Sequence, residues 1–306
     1  MLKRKAIKRI ILTTLVLFIM LITFSLDVIE KDKNNNLDEV EYVSNLNTSH
    51  IYLLNKENLL VKVDFLINKD TTINMANNII KNLYISNSKY HNLKGLIPSN
   101  TKINSINFNN DTLIIDFSSD LLKVRKNLEE KVIESIVYSL LELKEVKNIQ
   151  IKIDGNILNK LEKSNITLPN ILDNSLGINK NYAINSIKDV KSVVLYYVFN
   201  NDYKDYYVPV TKYVNSKNSK IKIIIDSLKG SYTSSTNLKS YLNSKTDILN
   251  YNLDEEVLTI TFNTLNDSNL ESVTYTLACS IFNSTEIKKV IFEVGDKIVA
   301  VRLNNN

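Results

Sequence analysis

The chain has a single cysteine, Cys279, which excludes an intramolecular disulfide and any cluster of thiolate metal ligands. Alone, with no activating base in its pattern, it reads as a small packing residue and not a nucleophile. Five glycines leave little material for phosphate-cradling loops, and no G-x-G-x-x-G, P-loop, G-x-S-x-G or H-E-x-x-H motif occurs. The two histidines, His50 and His91, fall in polar stretches and read as solvated surface residues. Asp64 and Asp116 sit on strands opposite apolar faces, and neither is repeated elsewhere as a partner for glycoside chemistry. Excess charge is missing too, once the N-terminus is set aside. Residues 1–9 hold five of the 38 lysines and arginines and no acid, leaving 33 basic against 33 acidic side chains. A neutral body lacks the footprint of a nucleic-acid binder. These patterns ask for no catalytic residue, no metal and no cofactor, and the expectation is a protein that is not an enzyme.

What is present starts with an uncharged run of 17, residues 10–26 (IILTTLVLFIMLITFSL). Its apolar side chains are Ile10, Ile11, Leu12, Leu15, Val16, Leu17, Phe18, Ile19, Met20, Leu21, Ile22, Phe24 and Leu26. At ~1.5 Å per residue it sits at the short end of what spans a bilayer. The basic leader 1–9 before it, with Asp27 and Glu30 after it, predicts an N-terminus inside and a chain outside. The run exceeds the ~7–15 residues of a signal-peptide core and no A-x-A-like site follows, so an uncleaved single-pass anchor is expected. Residues 27–49 are polar and Asn-rich, a tether.

The rest contains a segment twice. Asn92–Ser118 lies over Asn237–Asn263 at a shift of 145 without a gap, and ten of the 27 positions are identical. Among them Leu113, Ile115 and Phe117 alternate, as do Leu258, Ile260 and Phe262, marking one buried strand face in each copy. Around this segment two units are expected, 50–156 and 193–303. In the first, Ile51–Leu54 and Leu59–Ile67 read as a hairpin. Asp70-Thr71-Thr72 opens a helix through Met75, Ala76, Ile79, Ile80 and Leu83. Ile103–Phe108 and Thr112–Phe117 form a second hairpin, Leu128–Leu143 a second helix, and Ile149–Ile153 a last strand. Glu129 and Glu130 suit the second helix's N-terminal dipole. The order ββαββαβ predicts an α+β fold, two tandem small domains each with helices on one face of a mixed sheet. Residues 157–192 are too apolar for a free linker and are expected to pack in part. At a shift of 141, Val132, Ile136 and Leu140 fall on Val273, Leu277 and Ile281, so the helix faces survive duplication. A tyrosine cluster, Tyr196, Tyr197, Tyr203, Tyr206, Tyr207 and Tyr213, is a candidate partner surface, although strand propensity alone also explains it.

Leu96-Ile97-Pro98-Ser99-Asn100-Thr101-Lys102-Ile103, followed by Thr112–Ser118 ending in Asp116-Phe117-Ser118, resembles the core of the GerM domain family. In the second unit, Tyr196-Tyr197 with Tyr207-Val208-Pro209-Val210-Thr211-Lys212 resembles the family's opening hairpin, and Leu228-Lys229-Gly230 its first-helix ending. The motif positions are Gly95, Pro98, Asp116, Phe117, Pro209, Thr211, Gly230 and Phe262; Asp116 is Thr261, and Pro98 is Asn243, in the other copy. The resemblance implies an endospore-former's protein acting in sporulation and germination, outside the mother-cell membrane and facing the forespore. It implies a fold similar to ring-building motifs, and a membrane-anchored scaffold contacting envelope or channel proteins. Self-association is a further expectation. The alternative is a peptidoglycan-binding or sensing module using exposed aromatics, with a wall amidase or its accessory as a weaker third reading. No lipid-accepting cysteine lies near residue 27, so the hydrophobic run is expected to hold the protein.

Overall fold

Side-chain alternation builds the first strands: Val61, Val63, Phe65 and Ile67 are buried while Asp64 points to solvent. The computed structural model describes residues 46–86, 90–201, 204–229, 237–242, 248–265 and 267–304. The leader and the run 10–26 lie outside the described residues, as do Tyr203 and Gly230. Among the described residues no helix is long and apolar enough to cross a membrane.

The first half runs β1 (Leu46–Leu54), β2 (Leu60–Asn68), α1 (Thr72–Asn82), β3 (Ile103–Asn109), β4 (Thr112–Phe117), α2 (Lys126–Leu140), β5 (Asn148–Ile153) and β6 (Asn156–Ile157). Short strands β7 (Lys160–Leu161), β8 (Ile166–Thr167) and β9 (Asn181–Ala183) follow. The second half repeats the order with β10 (Val190–Asn201), β11 (Lys204–Asn215), α3 (Lys220–Lys229), β12 (Leu238–Lys239), β13 (Ile248–Asp254), β14 (Val257–Phe262), α4 (Leu270–Phe282), β15 (Lys289–Val294) and β16 (Lys297–Leu303). The Thr71 hydroxyl accepts from the Asn74 backbone N–H, capping α1 as expected. Val132, Ile136 and Leu140 on α2, and Val273, Leu277 and Ile281 on α4, are all buried, so the shift of 141 carries one helix face onto the other.

Two expectations need correction. The tether was expected to reach residue 49, but β1 already begins at Leu46, pairing it with Asn68. Each half was expected to hold its own mixed sheet. Instead each divides its strands: β3-β4-β5-β6 form one sheet and β13-β14-β15-β16 another, while the opening hairpins leave to build a common sheet, β1-β2-β11-β10-β12. Alternation along a strand shows which face is buried but not which strand lies alongside, and here β2 and β11 lie edge to edge. Both repeats of the expected tandem pair are present, and their buried apolar residues make one contiguous core from Ile51 to Phe292. The segment between the halves contributes Leu161, Leu168, Leu172 and Ile178 to that core.

Candidate functional site

The polar groups concentrate along the seam where the two hairpins meet. Outward from it the order is second strand then first strand on both sides, and the seam strands are antiparallel, the arrangement a two-fold axis generates. The ladder across it holds one Cα pair, Tyr207 with Lys62. Beyond that pair β11 carries Pro209, which has no N–H to donate. The chain between the halves fills the gap. Asn179, 3% exposed, uses its side-chain amide as a substitute for backbone: Oδ1 accepts the Leu60 N–H at 2.9 Å, and Nδ2 donates to the carbonyls of Leu60 and Pro209, each at 2.8 Å. Next to it Thr211 and Ile178 exchange two hydrogen bonds of 2.8 Å, and β9 continues alongside β11 in parallel.

An ion cluster backs this plug. Glu134 on α2 is 1% exposed on its side chain and accepts from Lys131 at 3.1 Å, Lys180 at 3.2 Å and the Asn179 backbone N–H at 3.1 Å. Lys180 also meets Glu130 at 2.5 Å. Burial pushes the Lys180 ammonium down, but Glu134 and Glu130 outweigh it and leave it raised. A buried acid with this much compensation fixes register more than it adds stability.

A second cluster lies on β1. Glu142, just past α2, accepts from the Tyr52 hydroxyl at 2.6 Å, meets His50 Nδ1 at 2.7 Å and the Lys62 ammonium at 3.0 Å. Burial pushes its carboxyl up, yet Lys62 first, then His50 and the Tyr52 hydroxyl, hold it down at about 2. His50 therefore lies on β1 and is held by Glu142, contrary to the expectation of a solvated loop histidine; His91 is exposed. The Tyr52 ring packs edge-on against Tyr138 at 5.7 Å. Desolvation holds the Tyr52 and Tyr196 phenols well above their ordinary values, and burial likewise raises the Cys279 thiol. Through His50, Tyr52 and Lys62, Glu142 ties β1 and β2 to the end of α2.

Two serines repeat across the halves. The Tyr52 N–H donates to Ser139 Oγ at 2.9 Å and the Tyr196 N–H to Ser280 Oγ at 2.8 Å. Each lets the second helix of its half close the open edge of the first strand. The signal was in the sequence, since Ser139 and Ser280 are identical under the shift of 141. Asn179 had no such signal, lying between the repeats.

The candidate partner tyrosines do not share one surface. Tyr196 is 2% and Tyr206 8% exposed, both core residues. Tyr207 is half-buried with its ring 4.0 Å from Tyr275, and burial first, then Glu271, pushes its phenol up to about 12. Tyr213 stacks on Tyr182 at 4.9 Å. Tyr196 and Tyr206 thus face the core, while Tyr207 and Tyr213 pack on tyrosines of α4 and β9. Glu129 lies in the first turn of α2, as its dipole role asks, and it is also buried, its carboxylate accepting the Ser164 N–H and hydroxyl, each at 2.8 Å, which pins the segment after β7.

The motif positions have local structural reasons. Asp116 accepts the Gly155 N–H at 3.0 Å, fixing the turn between β5 and β6. Phe117 is fully buried, and the Ser118 hydroxyl accepts the Lys102 N–H at 3.0 Å. Pro98 opens a turn closed by the Thr101 N–H on its carbonyl at 2.9 Å. Phe262 is buried and faces Phe292 at 6.2 Å.

A family model for "Germane: Sporulation and spore germination" matches residues 50–159 and 194–300. The spore germination protein GerM of Bacillus subtilis (strain 168) is 27% identical over 137 residues, 44% of this chain. The match spans 37% of that relative's length. The solved tandem GerMN domains of the Bacillus subtilis sporulation protein GerM superpose with a TM-score of 0.72 at 19% identity, over 82% of this chain and 92% of theirs. The duplicated α+β body has the fold of those tandem domains, and with both halves matched the chain belongs to the Germane family of sporulation and spore germination proteins.

Proposed function

We propose that this protein is a non-enzymatic assembly protein of sporulation and germination, anchored through residues 10–26 with its body outside the membrane, and acting by contact with envelope or channel proteins between mother cell and forespore. The observation that carries this reading is the use of the polar inventory: Glu142, Glu134, Glu129 and Asp116 each hold a neighbouring segment of the chain in place. Rigid bodies built this way serve as platforms. A contact surface is available where the second sheet ends. β16 is its last strand, with Ile298, Val301 and Leu303 exposed at 55%, 46% and 60%. Open strand edges with apolar side chains recruit partners by strand addition. Wall-polymer binding, the alternative, loses Tyr206 and Tyr207 as exposed aromatic support.

The test is a fluorescent fusion followed through sporulation, with a deletion strain beside it. The reading predicts enrichment at the engulfing membrane and a sporulation or germination defect on deletion. Enrichment at vegetative septa, or normal spores from the deletion strain, overturns it.

A further inference from the structure

The segment between β9 and β10 presents apolar side chains to water in a fixed shape. Ile187 is 96% exposed, with Tyr182, Ile184 and Val190 exposed on either side of it. Single exposed apolar residues are ordinary, but four within nine residues, from β9 through the loop to the first residue of β10, are not. This loop is held open by Asn215 at the end of β11. Its Oδ1 accepts the Asn185 N–H at 2.8 Å and the Ser186 N–H at 3.3 Å, while Nδ2 donates to the carbonyls of Ser186 at 2.9 Å and Lys188 at 2.5 Å. The Ser216 N–H closes onto the Asp189 carbonyl at 3.0 Å. With its backbone tied on both sides of the tip, Ile187 has no freedom to fold back onto the core.

The surroundings of the tip are basic. Lys188 and Lys217 are exposed, and Lys191 reaches the Lys217 and Asn218 carbonyls at 3.4 and 2.6 Å, against one acid, Asp189. An otherwise neutral chain thus places an excess of positive charge at this end. Protein interface cores are depleted of charge around their apolar anchors. An apolar tip collared by lysines, with a tyrosine beside it, instead matches the interface of a bilayer carrying anionic lipids.

We propose that the loop Asn185–Asp189 is a membrane-contacting tip, Ile187 entering the lipid interface and Lys188 and Lys217 facing anionic headgroups. This gives the body a second hold on a membrane, separate from residues 10–26. It is tested without the leader, so failure of the anchor reading does not decide it.

Residues 46–306, which form a compact unit with its own core, are sedimented with vesicles of zwitterionic lipid alone or with added phosphatidylglycerol. Binding is expected to rise with phosphatidylglycerol and fall with salt. Ile187→Asn is expected to weaken it at least about tenfold while leaving the unfolding midpoint unchanged, since the residue touches nothing that folds the chain. The chain has no tryptophan, so Ile187→Trp supplies a single reporter. A blue-shifted emission quenched by brominated lipid supports the proposal. Emission that stays water-like and unquenched in anionic vesicles, or Ile187→Asn binding equal to the unaltered chain, overturns it and leaves a protein partner as the occupant of the tip.

Discussion

Glu142 illustrates how a partly buried acid can be stable only because three donors converge on it. Its carboxyl is lowered from 4.5 to about 2, so the folded state binds the proton less readily than the unfolded chain. The stabilisation is complete above about pH 4.5 and is lost as pH falls toward 2, a difference of about 3 kcal/mol. Glu142→Gln is expected to destabilise the protein at pH 7 by that order and to cost nothing near pH 2, read from denaturant midpoints across pH. Parallel curves for the two proteins would show that the clamp contributes no linkage. Of these residues the sequence disclosed little. Tyr52 and Glu142 are 90 positions apart, and a lone acid after a helix has no pattern. His50 was misread for the same reason: its partner comes from another element.

At the scale of elements the sequence is far more legible. Strand faces follow from a period of two and helix faces from spacing of three and four, and both survive duplication, which turns a weak pattern into a repeated one. Turn positions are legible as well, because backbone geometry demands particular residues. Gly95 is the clearest: a Cβ there would sit 2.3 Å from the Leu83 carbonyl oxygen and 2.4 Å from that of Tyr84. This close approach lets the Leu96 and Ile97 N–H groups both reach the Leu83 carbonyl at the end of α1. Gly95→Ala is expected to cost about 2 kcal/mol or more, since the obstacle is backbone and not a side chain that can swing away. Calorimetry on residues 46–306 checks it; a change in midpoint below about 1 °C would mean the turn relaxes freely. What the elements did not disclose was their pairing. The hairpins read correctly as hairpins, but nothing in Leu60–Asn68 says that β11 lies beside it, because the decisive contacts run through Asn179 and a proline-interrupted ladder.

For the whole molecule, the duplication has produced something like a dimer in one chain. Two hairpins meet about a pseudo-two-fold axis, the equivalent Tyr52 and Tyr196 each donate a backbone N–H to a serine of the second helix of their half, and the connecting segment is threaded into the seam. Fusion makes this association intramolecular, so each half is held at high effective concentration against the other. Each half adds a four-stranded sheet of its own to the common one, and that of the second half ends in β16 with Ile298, Val301 and Leu303 exposed. Native-state hydrogen exchange on residues 46–306 across a denaturant series, read by mass spectrometry, addresses the unity of the halves directly. Peptides covering β4 and β14, one buried strand from each half, are expected to lose protection at the same denaturant concentration and with the same slope. Loss of protection in one half while the other stays closed would contradict the account, since it would make the seam a contact between independent domains.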